Sequence, residues 1–145
     1  MPNNEDPLKL ENQLCFPLYS AAKKVVRSYT PFLDRFGLTY TQYIVMMVLW
    51  ERKAISIAEL GEVLHLDSGT LTPLSKKLIQ KGYIIKKEDK TDRRMVEITL
   101  TKKGTSLKEK MKDIPRQVGS CFPLSLDEAI QLRTLLDKIN SYYEQ

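Results

Sequence analysis

Two cysteines, seven tyrosines and a lysine-rich middle are the residues of this 145-residue sequence best suited to chemistry. Cys15 lies in Leu10-Glu11-Asn12-Gln13-Leu14-Cys15-Phe16-Pro17-Leu18-Tyr19, two residues before a proline. Inside a helix, proline deletes a backbone bond and clashes with the preceding turn, whereas near a helix start it is welcome. The pattern therefore predicts either a helix kinked near Gln13 or one whose regular part begins close to Phe16. In the second case Cys15 stands at a helix N-terminus, where the dipole favours a thiolate. A thiolate attacks a peroxide oxygen and becomes a sulfenic acid; a thiol does not. Tyr19, one helical turn further on, is the hydroxyl that spacing offers as a donor to the sulfur. The competing reading is a buried, inert cysteine filling a helix face, and spacing alone favours it.

A second chemistry sits in Leu66-Asp67-Ser68-Gly69-Thr70-Leu71-Thr72-Pro73-Leu74-Ser75-Lys76-Lys77-Leu78-Ile79-Gln80-Lys81-Gly82. It opens on cap-type residues, Asp67 and Ser68, and closes on a glycine suited to a left-handed helix end. Leu71, Leu74, Leu78 and Ile79 fall on one helical stripe. Ser68, Thr70, Ser75, Lys76 and Lys77 are expected on the opposite face. Ser68, Thr70 and Thr72 can meet base edges or phosphates, while Lys76 and Lys77 are placed for the DNA backbone. A solvated surface helix is the alternative.

The flanking elements decide between the two. Ser56-Ile57-Ala58-Glu59 is a capping box opening a short helix, Ile57 to Leu64, with Ile57, Leu60, Val63 and Leu64 expected inward. His65-Leu66 leaves only a short turn before the next helix. After Gly82 come Tyr83-Ile84-Ile85, a charged segment from Lys86 to Arg94, and Met95-Val96-Glu97-Ile98-Thr99-Leu100, whose alternation reads as a strand. Two strands joined by a basic tip make a wing, with Arg94 as the minor-groove side chain, Asp92 orienting it by a salt bridge, and Arg93 on the backbone. The fold class expected is mostly α, a winged helix-turn-helix. Terminal helices flank it as a dimerisation region.

Charge supports that placement. Residues 76–112 hold thirteen Lys or Arg against five Asp or Glu, +8 locally, which leaves −3 for the remainder of a chain of net charge +5. Such asymmetry marks a nucleic-acid face more than a soluble surface. No apolar run spans a bilayer and no signal peptide is evident, so a cytoplasmic protein without membrane association is expected, its cysteines reduced. One histidine, His65, and two distant cysteines make a poor ligand set, so neither metal nor cofactor is expected.

A first helical region is predicted from about Leu8 to Leu33, with Leu14, Leu18, Ala22, Val25, Tyr29 and Leu33 on one face and a bend at Thr30-Pro31. Thr39-Tyr40-Thr41-Gln42 caps a helix, apolar almost all round, from Tyr43 to Trp50. Another helix starts at Thr101 and runs through Leu107 and Met111 towards Pro115. Ser125-Leu126-Asp127-Glu128 opens the last, carrying Ile130, Leu132, Leu135, Leu136 and Ile139. The layout expected is one domain over residues 1–145, with a DNA-binding core at 40–100 and dimerisation helices at 8–36 and 102–143. The apolar surplus of the terminal helices could bury itself within a subunit or against a second one, and a two-fold dimer suits a pseudo-palindromic operator.

Leu66 to Leu74 together with Asp92-Arg93-Arg94 resembles the recognition helix and wing of the MarR family of winged-helix repressors, over almost the whole chain. Leu10 to Phe16 and Leu38-Thr39-Tyr40-Thr41-Gln42-Tyr43 are similar to its organic hydroperoxide resistance regulator branch. That resemblance implies a non-enzymatic homodimer on double-stranded operator DNA, released when an organic hydroperoxide oxidises Cys15. It implies that Tyr29 and Tyr40 reach the sulfur from the partner subunit. It leaves Cys121, in Gly119-Ser120-Cys121-Phe122-Pro123 between the last two helices, as a resolving cysteine or a spectator. Phe16, Leu18 and Met46 or Met47 are candidates for an apolar peroxide pocket. Release by a phenolic ligand with Cys15 inert is the rival reading, with a thiol peroxidase and a protein–protein adaptor behind it.

Overall fold

The computed structural model describes residues 6–92 and 95–144. Its centre is α3, Tyr40–Arg52, which buries Tyr43, Val45, Met46, Val48 and Leu49. Each such side chain contributes about 1.5–3 kcal/mol when fully withdrawn from water. The expected capping box starts this helix: Gln42 N donates to Thr39 Oγ1 at 3.3 Å, and Thr39 N donates to Gln42 Oε1 at 3.1 Å.

The helix-turn-helix follows. α4, Ile57–Leu64, begins at the Ser56 and Glu59 box and buries Leu60 completely. Val63 is 39% exposed rather than inward. It lies at the margin of the stripe that Ile57, Leu60 and Leu64 define. His65 turns the chain in the left-handed region, and Leu66 N donates to the Gly61 carbonyl at 3.0 Å. α5, Ser68–Gln80, then buries Leu71, Leu74 and Leu78. Gly82, at φ 77°, ends it: Gly82 N donates to Ile79 O and Tyr83 N to Leu78 O.

The sheet has three strands where two were expected. β2, Ile84–Glu88, and β3, Val96–Leu100, form the hairpin; β1, Ala54–Ser56, joins on the other side of β3, all antiparallel in the order β1-β3-β2. Ile55 of β1 pairs with Ile98, and both are buried. Three residues that merge into a capping box are too short to show an alternating pattern.

The expected first helix is divided. A 3-10 turn at Leu10–Asn12 precedes α1, Cys15–Ser28; α2, Thr30–Leu33, and a second 3-10 turn, Asp34–Phe36, follow. Pro17 is the third residue of α1, where its missing N–H has no helical partner to lose, and Pro31 sits in the first turn of α2. The alternative with Cys15 at a helix start therefore holds, and the kinked continuous helix does not. α6, Lys102–Met111, begins at Thr101, whose Oγ1 accepts from Gly104 N at 3.0 Å and donates to Gly82 O at 2.6 Å.

These elements belong to a compact unit that ends at Asp113; a second unit begins at Ile114. It contains α7, Ile114–Ser120, a helix absent from the sequence reading, and α8, Leu126–Tyr143, opened by the expected Ser125 and Glu128 box. Seven residues carrying both a proline and a glycine leave no helical signature. No helix among the described residues is long and apolar enough to cross a membrane.

Gly104 is the tightest point: a Cβ there would collide with the Tyr83 carbonyl oxygen and lie 3.1 Å from Leu100 Cδ2. Gly104→Ala should lower the unfolding free energy by about 1–3 kcal/mol, as overpacked sites do. Urea denaturation checks this, and an unchanged midpoint contradicts the tight junction.

Candidate nucleic-acid interface and thiol site

α5 is sided as a reading helix must be. With Leu71, Leu74 and Leu78 inward, Ser68, Gly69, Thr70, Thr72, Lys76 and Lys77 are all exposed. Asp67 holds the first turn. Its Oδ1 accepts from Thr70 N at 2.7 Å, and chiefly that amide keeps the carboxyl below its ordinary range. Pro73 has no N–H to donate to the Gly69 carbonyl, so the helix lacks that bond on its exposed turn. Ser75 departs from the expected polar face: it is 5% exposed, and its Oγ has no hydrogen-bond partner among the described residues. It follows Leu74 and precedes Leu78 by three positions, which turns it towards the buried side. There it lines a cavity of about 690 Å³ whose walls include Ile57, Leu66, Leu71, Ile79 and Ile98, with Lys76 and Lys86 among its polar residues.

The wing pairs Ile84 with Leu100 at its base and Glu88 with Val96 at its outer end. Lys86 and Lys87 are exposed on β2; Lys86 Nζ is 3.2 Å from Glu88, and Lys87 stands opposite Glu97. Asp89, not singled out by the sequence reading, organises the tip. Its Oδ1 accepts from Thr91 N at 2.9 Å and Thr91 Oγ1 at 2.7 Å, bonds that hold its carboxyl low. Met95 N closes the turn by donating to the Asp92 carbonyl at 3.0 Å. Asp followed two residues on by Thr is an Asx-turn signal that could have found Asp89. Arg93 and Arg94, and with them the expected Asp92–Arg94 bridge, lie outside the described residues.

Cys15 is the first residue of α1 and is exposed, with no acidic side chain in the helix's first turn. It is not the buried core cysteine of the competing reading. The Tyr19 hydroxyl, one turn along, accepts from Lys23 Nζ at 3.4 Å, and that ammonium lies 5.1 Å from the ring centroid. Phe16, Tyr19, Lys23, Lys24 and Arg27 line a groove of about 330 Å³. Met46 is fully buried in the core and cannot line a peroxide pocket, whereas Met47 is 45% exposed. Cationic side chains thus flank Phe16 where apolar ones were expected. Cys121 is also exposed, just past the end of α7; its N–H donates to Val118 O at 3.0 Å, and Ser120 Oγ lies 4.0 Å from its sulfur.

Tyr29 and Tyr40 are brought together, their ring centroids 4.9 Å apart. A third ring, Tyr43, joins them at 5.9 Å and 6.4 Å, and the sequence reading missed it because it counted Tyr43 as core. Burial, then the neighbouring phenols, pushes the Tyr43 hydroxyl up to about 12; burial and Tyr40 raise Tyr29 as well. Both therefore stay protonated and remain hydrogen-bond donors. The apolar side chains at the chain's two ends stand open: Leu14, Phe16, Leu18 and Val26 near and on α1, and Ile130, Leu132, Leu135 and Ile139 on α8, are each at least 39% exposed.

The family model of the transcriptional regulator SarA/Rot matches residues 27–111. The chain is 43% identical over 136 residues to the organic hydroperoxide resistance transcriptional regulator of Bacillus subtilis, covering 94% of this chain and 92% of that one. Among solved structures it is similar to reduced AbfR bound to DNA, with a TM-score of 0.80 and 32% identity over 93% of this chain and 92% of that one. AbfR, from Staphylococcus epidermidis, is also known overoxidised on DNA and in a disulfide form. A mutant MarR from Escherichia coli complexed with operator DNA gives a TM-score of 0.77 at 25% identity over 92% of this chain and 98% of that one. The chain belongs to the SarA/Rot family of transcriptional regulators, winged-helix proteins of the MarR type.

Proposed function

We propose that this protein is a dimeric repressor that holds a pseudo-palindromic operator while Cys15 is reduced and releases it when an organic hydroperoxide oxidises Cys15. The observation that carries the reading is the exposed sulfur at the first position of α1, in a chain 43% identical to an organic hydroperoxide resistance regulator. In the reaction the Cys15 thiolate attacks the terminal peroxide oxygen and the O–O bond breaks. Sulfur is oxidised to a sulfenic acid, and the alkoxide leaves and takes up a proton as the alcohol. Tyr29 and Tyr40 of one subunit donate to the sulfur of the partner's Cys15, and Tyr19 stands one turn away on its own helix. Cys121, the second exposed thiol, condenses with the sulfenic acid to form a disulfide and release water. Each molecule reacts once per cycle, so the protein is a cytoplasmic sensor rather than an enzyme.

On DNA, Ser68, Thr70 and Thr72 read base edges or phosphates from α5, and Lys76 and Lys77 hold the backbone. Asp92, Arg93 and Arg94 supply the wing contact. The exposed apolar faces of α1 and α8 suit a two-fold dimer, which sets two copies of α5 about one DNA turn apart. Repacking of α1 after oxidation changes that span, and affinity falls.

A second reading, release by a small phenolic ligand with Cys15 a bystander, is favoured in a different place from the dimer cleft by the cavity beneath α5, where the Ser75 hydroxyl has no partner among the described residues. Stoichiometric cumene hydroperoxide separates the two. Operator Kd of wild type should rise on the order of tenfold or more, an ordinary coupling strength, while Cys15→Ser stays put. Equal loss in both variants sinks the redox reading. Cys121→Ser should still form the sulfenic acid by mass but no longer give a disulfide-linked species on a non-reducing gel. For the DNA face, Lys76→Ala and Lys77→Ala should each weaken binding across sequences and reduce the slope of log K against log salt by about 1. A slope unchanged in both variants would move the interface off α5.

A further inference from the structure

The aromatic contacts of the thiol site continue past Tyr29 and Tyr40. Tyr43 is 3% exposed, and its ring packs on both of theirs and, edge-on, on Trp50 at 6.4 Å. Tyr40, Tyr43 and Trp50, spaced by three and then seven positions, share one face of α3. Trp50 Nε1–H in turn donates to the Gly104 carbonyl at 2.9 Å, a bond between residues 54 apart in sequence.

Gly104 lies in a knot of backbone contacts. Thr101 N donates to the Tyr83 carbonyl at 3.1 Å, and Thr101 Oγ1 donates to Gly82 O at 2.6 Å. Lys103 Nζ donates to Lys81 O at 2.8 Å while lying 5.0 Å from the Tyr83 ring centroid. The carboxyl end of α5, the start of β2 and the first turn of α6 are thereby held as one piece. Trp50 bonds α3 to that piece.

We propose that Tyr43 positions Tyr29 and Tyr40, and that Trp50 carries their arrangement to the carboxyl end of the DNA-facing helix and the base of the wing. The inference rests on the redox reading above. A close-packed interior moves between discrete arrangements rather than deforming smoothly, so rings displaced beside an oxidised sulfur displace Tyr43 with them. The indole N–H is directional: a tilt of Trp50 either keeps the bond to Gly104 or breaks it and leaves a half-buried donor unsatisfied. Tyr43 acts through the tyrosines and Trp50 through the junction; both are positioning residues.

Three variants of the full chain test this, each assayed reduced and after one equivalent of cumene hydroperoxide. Trp50→Phe keeps a ring but loses the donor; Tyr43→Leu removes the wedge; Tyr43→Phe keeps it. The readouts are the rate of sulfenic acid formation at Cys15 by mass and the ratio of oxidised to reduced operator Kd. In wild type that ratio should be on the order of ten to a hundred, as for ordinary site-to-site coupling. Trp50→Phe should oxidise at the wild-type rate while its ratio falls to about two. Tyr43→Leu should slow oxidation and lose the ratio together, and Tyr43→Phe should restore both. Trp50 is the only tryptophan, so intrinsic emission reports its surroundings: it should shift on oxidation in wild type and not in Tyr43→Leu. A merely structural role predicts a lower Tm with the wild-type ratio intact, and that result in Trp50→Phe overturns the inference alone. A wild type whose operator affinity ignores the hydroperoxide overturns the redox reading and this inference with it.

Discussion

Burial of one side of α5 is the constraint on which the DNA-facing surface depends. Leu71, Leu74 and Leu78 are between 0% and 7% exposed, so the helix cannot roll without opening apolar surface to water. The cost, about 1.5–3 kcal/mol for each of three side chains, together exceeds what a single exposed polar contact on the other face returns. Ser68, Thr70, Thr72, Lys76 and Lys77 therefore keep a fixed orientation before any ligand arrives. Gly82 and the Asp67 cap then fix where the helix begins and stops. A surface that reads another molecule by hydrogen-bond pattern needs that stiffness, because every ordered side chain it does not hold in advance must be ordered on binding.

α1 is built on the opposite plan. None of its fourteen residues is buried, its N-cap has no side-chain hydrogen bond, and a proline occupies its first turn. Within one chain it therefore has little buried surface to lose by moving. Cys15 heads this helix, so a chemical change at the sulfur acts on an element weakly anchored by its own core. The same open apolar face makes a second subunit the natural source of its missing contacts. The proposed function thus puts sensing on a weakly anchored helix and reading on a strongly anchored one, a coherent division.

Most of this was legible in the sequence because the signals were local. Three capping boxes, at Thr39, Ser56 and Ser125, each fixed a helix start through two reciprocal bonds that the residue types announce. The leucine stripe of α5 and the alternation of β3 were equally direct. What escaped depended on packing. β1 is a strand only because Ile55 finds Ile98 more than forty positions away. Ser75 is polar by type yet buried by angle, and Met46, grouped with Met47 as a pocket residue, belongs to the core. Tyr43 was legible as core but not as the third ring beside Tyr29 and Tyr40, since nothing in a helical stripe tells which neighbours it meets. At Pro17 the two alternatives were both chemically sound. Only the turn at Leu10–Asn12, which spends the preceding residues on a separate element, decides between them.

On the proposed mechanism, the choice of tyrosine around the Cys15 sulfur has its own logic. A lysine or arginine in the same place would carry a permanent charge, and oxidation of a thiolate would leave that charge without its partner in a half-buried site. Phenols avoid the difficulty. Burial holds the Tyr29 hydroxyl in the neutral, donating form, so it can satisfy an anion and can also survive its loss. In the proposed reaction, oxidation removes the thiolate's charge without stranding a cation, and the added oxygen has to be fitted beside rings packed 4.9 Å apart. Rings that close have no slack to absorb an atom, and whichever of them gives way must push on its neighbour. On the proposed mechanism, a cluster of neutral, packed donors thus turns a small covalent event into a displacement, the form of signal that a helix-turn-helix can read.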